Sequence, residues 1–164
     1  LNDRLKEIKE QVYGRCNLYL TYYQEELESK EYDACRFRLN DAKIISRSSK
    51  ITPKKAGQFV TFWKRNGNGP IEPFEESDAF DFFVVNVRTE KNFGQFVFPK
   101  SVLVKKGIVS TSKKEGKRAI RVYPSWDQPT NATAMRSQKW QLGYFFEVNE
   151  KKGFEKLKTL YKNK

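Results

Sequence analysis

The chain has 164 residues, 38% hydrophobic, 15% aromatic and 32% charged, with a formal net charge of +12; this suits one domain around one buried core and excludes disorder throughout. It contains no histidine, which excludes Ser-His and Cys-His nucleophile pairs, histidine proton shuttles and the commonest zinc ligand. No apolar run approaches the roughly 18–20 residues of a membrane span and no basic-then-apolar leader opens the chain, so a cytoplasmic protein without membrane contact is expected.

From the start of the chain, Leu1, Leu5, Ile8, Val12 and Cys16 recur at spacings of three and four, the stripe of an amphipathic helix that Asn2 or Asp3 can cap and Gly14 can end. Cys16 and Cys35 have no Cys-x-x-Cys spacing and are expected as reduced core thiols. Residues 1–30 are taken as an N-terminal helical segment, 31–148 as the core and 149–164 as a C-terminal helix. Segments 32–39 and 44–49 flank Asn40-Asp41, a dipeptide tolerant of positive φ, and predict a hairpin.

Thr52-Pro53 has the chemistry of a helix start, and Ala56, Phe59, Val60 and Trp63 follow at i, i+3, i+4 and i+7; these predict a helix closed by Gly67 and Gly69, with Trp63 inward and Lys54, Lys55, Lys64 and Arg65 outward. Glu72, Glu75, Glu76, Asp78 and Asp81 then form an acidic run free of Lys and Arg. Segments 80–87 and 95–98 read as paired strands around a turn at 89–94. Pro99 starts a short helix that Gly107 stops. Residues 119–123 predict a strand, 132–142 a helix capped by Thr130 or Asn131, and 144–148 a last strand. Phe154, Leu157, Leu160 and Tyr161 predict a terminal amphipathic helix. The fold class expected is α+β, a single domain with a central mixed or antiparallel β-sheet of at least five strands flanked by helices.

The charge is concentrated. Between Lys100 and Arg121 eight cations, Lys100, Lys105, Lys106, Lys113, Lys114, Lys117, Arg118 and Arg121, face one acid, Glu115, a local excess of seven out of the net +12. Such a patch with aromatic and amide side chains close behind it points to nucleic acid, DNA or RNA. Lys64, Arg65, Lys113, Lys114, Lys117, Arg118 and Arg121 are the candidate phosphate contacts. Trp126, Gln138, Lys139, Trp140 and Gln141 are the candidate base contacts, because Gln pairs bidentately with adenine and Trp stacks on an unstacked base or on a nucleoside in a pocket.

Four stretches carry a family resemblance: KITPKKAGQFVTFWK at 50–64, GQFVFPKSVL at 94–103, GKRAIRVYPSWD at 116–127 and QKWQLGYF at 138–145. In that order and spacing they resemble the MepB-like family over roughly residues 30–148. The resemblance implies a core similar to restriction-endonuclease-like domains, in which a mixed sheet flanked by helices faces DNA.

A nuclease of that kind holds Mg²⁺ on carboxylates from adjacent strands, with a Lys two positions after the last carboxylate. Asp81 and Lys100 occupy plausible places, and an acidic-run carboxylate could join them. The position two before Lys100 is Phe98, which ligates nothing, and Gln95 is a weak substitute. The expectation is therefore nucleic-acid binding with an incomplete catalytic site: no catalytic residue, no metal ligand and no cofactor assigned, Mg²⁺ entering only under the nuclease alternative. A third option is an interaction module for an acidic protein partner. No dimer seam is recognisable.

Overall fold

The computed structural model describes residues 1–148 and 151–162. Asn2 caps α1 (Asp3–Ile8) by accepting from the Leu5 amide at 2.8 Å. The helix runs on through a π-helical turn, Lys9–Tyr13, and a tight turn, Gly14–Cys16, before Asn17 in the left-handed region stops it. Leu5, Ile8, Val12 and Cys16 are buried, as their spacing requires, but the stop is Asn17 and Gly14 stays helical. The N-terminal segment then contributes a strand absent from the sequence reading, β1 (Leu20–Glu25), at one edge of the sheet.

Strands β2 (Cys35–Leu39) and β3 (Ala42–Ser48) form the predicted hairpin, with Asn40 at φ 54° in its turn. After β4 (Lys50–Ile51), the segment predicted as a helix is instead a turn followed by β5 (Gln58–Thr61) and β6 (Trp63–Arg65). Side-chain alternation is the cause. Gln58, Val60 and Phe62 are buried while Phe59, Thr61 and Trp63 are half-exposed, a period of two that shares Val60 with the helical template. Lys54 and Gly57 have φ of 67° and 79°, and a side chain at Gly57 would come within 2.6 Å of the Tyr123 ring. Neither position continues a right-handed helix.

The remaining elements are β7 (Ile71–Pro73), β8 (Phe82–Arg88), β9 (Phe93–Pro99), α2 (Lys100–Lys105), β10 (Ala119–Val122), α3 (Ala132–Gln141), β11 (Phe145–Glu147) and α4 (Lys151–Lys162). β7 is absent from the sequence reading and β9 begins at Phe93, inside the expected turn; the others follow the sequence expectations closely, and residues 149, 150, 163 and 164 of the expected C-terminal helix lie outside the described residues. The main sheet has the order β1-β2-β3-β8-β9-β11, antiparallel throughout except for the parallel pair β3–β8. A three-stranded sheet, β10-β5-β4, and the pair β6-β7 pack beside it. This is the expected α+β class with a mixed central sheet and flanking helices.

Two cores sit on opposite faces of the main sheet, because alternate residues of each strand point opposite ways. One joins α1 and α4 to Phe37, Ile44, Phe82, Val84 and Val97. The other joins Val60, Phe62, Phe74, Leu103 and Val122 to Ile45, Phe83, Val85, Phe96 and Phe98. Phe98, the site of the missing carboxylate, has no exposed surface and stacks on Phe96. Within the first core, Gln95 donates to Asn86 Oδ1 at 2.7 Å and accepts from the Tyr161 hydroxyl at 2.8 Å, which itself lies 2.8 Å from the Tyr13 hydroxyl. Gln95 thus serves a buried polar network. Cys16 and Cys35 are both buried and free, and burial pushes the Cys35 thiol up to about 12.

Candidate functional site

The basic run lands on a folded loop. Pro99, restricted in φ, opens α2, and Gly107, at φ 71°, closes it. The chain then doubles back: Thr111 N donates to Lys114 O at 2.9 Å, Gly116 N to Ser110 Oγ at 2.7 Å and Lys117 N to Ile108 O at 2.9 Å. A side chain at Gly116 would come 2.8 Å from the Ser110 nitrogen, so this return needs glycine. It brings the Lys113-Lys114 tip back to α2, with Lys114 Nζ over Gly107, where a Cβ would sit 2.7 Å away. Lys105, Lys106, Lys113, Lys114 and Lys117 are all exposed, and none forms an ion pair among the described residues. Lys106 lies over the Trp140 ring at 5.4 Å.

Beyond Lys117 the chain enters β10. Arg118 is neutralised by Glu115 at 2.9 Å. Arg121 is braced by the Ala56 carbonyl at 3.1 Å and by the Thr52 hydroxyl, and faces no carboxylate among the described residues. At most about 13 Å of extended chain separates Lys117 from Arg121, at 3.3 Å per residue. The unpaired cations therefore continue from α2 along β10 to the loop at 52–57, where Lys54 and Lys55 are exposed.

Lys64 and Arg65 lie elsewhere. Placed on strand β6 and not on a helix, Lys64 bonds Asp78 at 2.9 Å and Arg65 bonds Glu28 at 2.7 Å. They belong to a zone of paired charge that includes Arg36–Glu26 at 3.0 Å and the buried Arg47–Glu26 contact at 3.4 Å. Trp63, predicted inward on a helix, is half-buried on the same strand under Arg65. An open groove of about 390 Å³ runs past these groups. A second groove of about 690 Å³ mixes Asp3, Glu31 and Asp33 with Arg4, Lys50 and Arg88, and so has no single sign to offer a ligand.

The proposed base-facing cluster is divided. Gln141 is 2% exposed; its Oε1 accepts from Tyr123 N at 2.8 Å and its Nε2 donates to Arg121 O at 2.9 Å. It ties α3 to β10 and has no surface for a base. Gln138 spends its amide on the carbonyls of Pro124 and Asp127 at 3.1 and 2.8 Å. Trp126 and Trp140 are half-buried against the second core, packing on Phe145 and Phe98, which their apolar bulk favours. Lys139 alone of the five is exposed.

The carboxylates of the nuclease alternative are engaged one by one. Asp81 Oδ2 accepts from the Lys43 amide at 2.8 Å, and Asp78 binds Lys64 and the Glu75 amide. Lys100 donates to the carbonyls of Glu76 and Asp78. Asp78, Asp81 and Lys100 are thus neighbours, yet no group of three His, Cys, Asp or Glu side chains converges among the described residues. No helix among them is long and apolar enough to cross a membrane.

The MepB-like family model matches residues 26–147. A crystal structure of MepB superposes with a TM-score of 0.79 at 34% identity, covering 92% of this chain and all of that one. The chain belongs to the MepB-like family. A bacterial homing endonuclease aligns at 19% identity with a TM-score of 0.42, over 87% of this chain and 93% of its own, too distant to bear on activity. No curated protein matches the sequence.

Sequence reasoning counted Lys105 and Lys106 in the basic run without assigning them a role. Their spacing from Lys113 and Lys114 hides the fold-back; the signal available was glycine at both 107 and 116, one at each end of the return.

Proposed function

We propose that this MepB-like protein binds nucleic acid, DNA in the first instance, by seating backbone phosphates against Lys105, Lys106, Lys113, Lys114 and Lys117, with Arg121 further along the same side. The observation that carries the reading is the gathering of five exposed lysines without a carboxylate partner among the described residues. Like charges held close repel one another, and a polyanion relieves that repulsion while releasing its own condensed counterions. No catalytic step belongs to the proposal, since Asp81 and Lys100 are engaged with backbone groups.

Fluorescence anisotropy with a labelled DNA oligonucleotide tests it. Each phosphate contacted contributes a slope of about −0.9 to log K against log salt, so four or five contacts give about −4. The triple variant Lys113→Glu, Lys114→Glu, Lys117→Glu should weaken binding about 30-fold or more at low salt and flatten the slope by about three contacts. A response to salt that is already flat in the unaltered protein would sink the proposal.

A further inference from the structure

The three-stranded sheet presents a second kind of surface beside the lysines. In its register Phe59 of β5 stands directly opposite Lys50 of β4 on one side and Arg121 of β10 on the other. Directly opposed residues share a face, so the row reads cation, aromatic ring, cation across about 10 Å, two strand spacings. The face is outward: Gln58 and Val60 point into the protein at 1% and 0% exposure, while Phe59 and Thr61 alternate with them and are half-exposed. Phe59 belongs to neither buried core. Its aromatic neighbour is Tyr32, 6.2 Å away and tilted by 60°, with Lys50 Nζ 4.9 Å from the Tyr32 ring centre.

Phe59 is half-buried beside Tyr32, and its remaining ring surface is open to a flat ligand. The two flanking cations say what such a ligand carries. Lys50 and Arg121 form no ion pair among the described residues, and Lys54 and Lys55 stand exposed on the adjoining loop; Glu31 borders Tyr32, and Asp3 and Asp33 line with it the groove that Lys50 also lines. A planar apolar face bound to an anionic backbone has the chemistry of an unpaired nucleotide, because a base inside a duplex keeps its faces stacked on its neighbours and cannot offer one to Phe59. We infer that this sheet face binds single-stranded nucleic acid, a base stacking on Phe59 with its flanking phosphates on Lys50 and Arg121. The inference rests on the nucleic-acid reading and names its substrate class.

Binding of the full chain to a 15-nucleotide oligo(dT), to oligo(U) of the same length and to a 15-base-pair duplex separates the two. One of the single strands should bind about 10-fold tighter than the duplex, and Phe59→Leu should remove about that factor from single-strand binding while leaving duplex binding and its salt slope unchanged. Phe59→Trp keeps the stacking face and should retain single-strand affinity, with indole emission quenched by the single strand beyond the change shown by the unaltered protein, whose Trp63, Trp126 and Trp140 set the background, and no such excess with the duplex. Equal binding of all three polymers, or a Phe59→Leu variant that holds single strands as tightly as before, overturns the inference and leaves the lysine proposal standing. Binding to none of them removes both.

Discussion

Around β6 and β7 the cations have carboxylates within the same molecule: Lys64 has Asp78, Arg65 has Glu28, and Arg36 and Arg47 share Glu26. Around the α2–β10 loop the lysines form no ion pair among the described residues, although Glu115 lies in the loop and Glu75 and Glu76 run beside it. Both regions are rich in positive charge, so charge content does not separate them; the location of the counter-charge does. A cation paired internally supports the fold and gains little from an external anion, whereas an unpaired one is held in water at no structural benefit and is available to a ligand. Under the proposal the first region is framework and the second is the surface that meets the polyanion.

The sharpest way to break that comparison is at the centre of the paired region. Arg47 is 1% exposed, and burial pulls its guanidinium below its ordinary value against the support of Glu26. Glu26 is itself only 19% exposed, so Glu26→Gln strands a buried charge and should cost about 3 kcal/mol in urea unfolding; nucleic-acid affinity should be unmoved. A stable variant with weakened binding would reverse the assignment of that region.

A smaller effect on the framework comes from pH. The buried Cys35 thiol is raised from its ordinary 9.0 to about 12, first by burial, so the folded state holds this proton more tightly than the unfolded chain does. Its contribution is complete below pH 9 and is lost as the pH climbs from 9 towards 12. Melting temperature should therefore decline through pH 9–11, by roughly 1 kcal/mol of stability at pH 10. Cys35→Ala should lessen the decline between pH 9 and 10, below the range in which the buried Tyr13 and Tyr161 hydroxyls, both raised above their ordinary 10.0, add their own; an unchanged curve there would remove the thiol from the account.

The smallest effect sharpens the contrast in function. Lys64→Gln with Arg65→Gln deletes two positive charges from a chain of net +12, yet in the same anisotropy assay it should change affinity by no more than about 3-fold, since both are already satisfied internally. The three-lysine reversal is its counterpart. Equal losses from the two sets would mean that the polyanion senses overall charge and not this loop.

Much of the architecture was legible. The hairpin at Asn40-Asp41, the paired strands on either side of residues 89–94, the Pro99–Gly107 helix and the Asn131-capped helix each combine a periodic apolar pattern with a turn or cap residue that admits few backbone conformations. Where such agreement lapsed, the outcome differed. Thr52-Pro53 supplied helix-start chemistry to a segment whose alternation was of period two, and β1 exposes Tyr22, half-buries Tyr23 and has no clean alternation to mark it. For the site, the basic run and its loop character could be read directly, but Gln141 could not be distinguished from an exposed glutamine, because nothing local shows that Tyr123 N and Arg121 O lie within reach.

By itself the sequence determined the fold class, most of the elements, the family and the location of the excess charge, all of which depend on residue type and near-neighbour spacing. Tertiary structure alone decided which cations are spent: Lys64 meets Asp78 and Arg65 meets Glu28 across 14 and 37 residues, while Lys114 returns to Gly107. The physical reason is that Coulomb and hydrogen-bond partners are chosen by distance in space. Strand pairing, which brings Phe59 between Lys50 and Arg121, sets that distance.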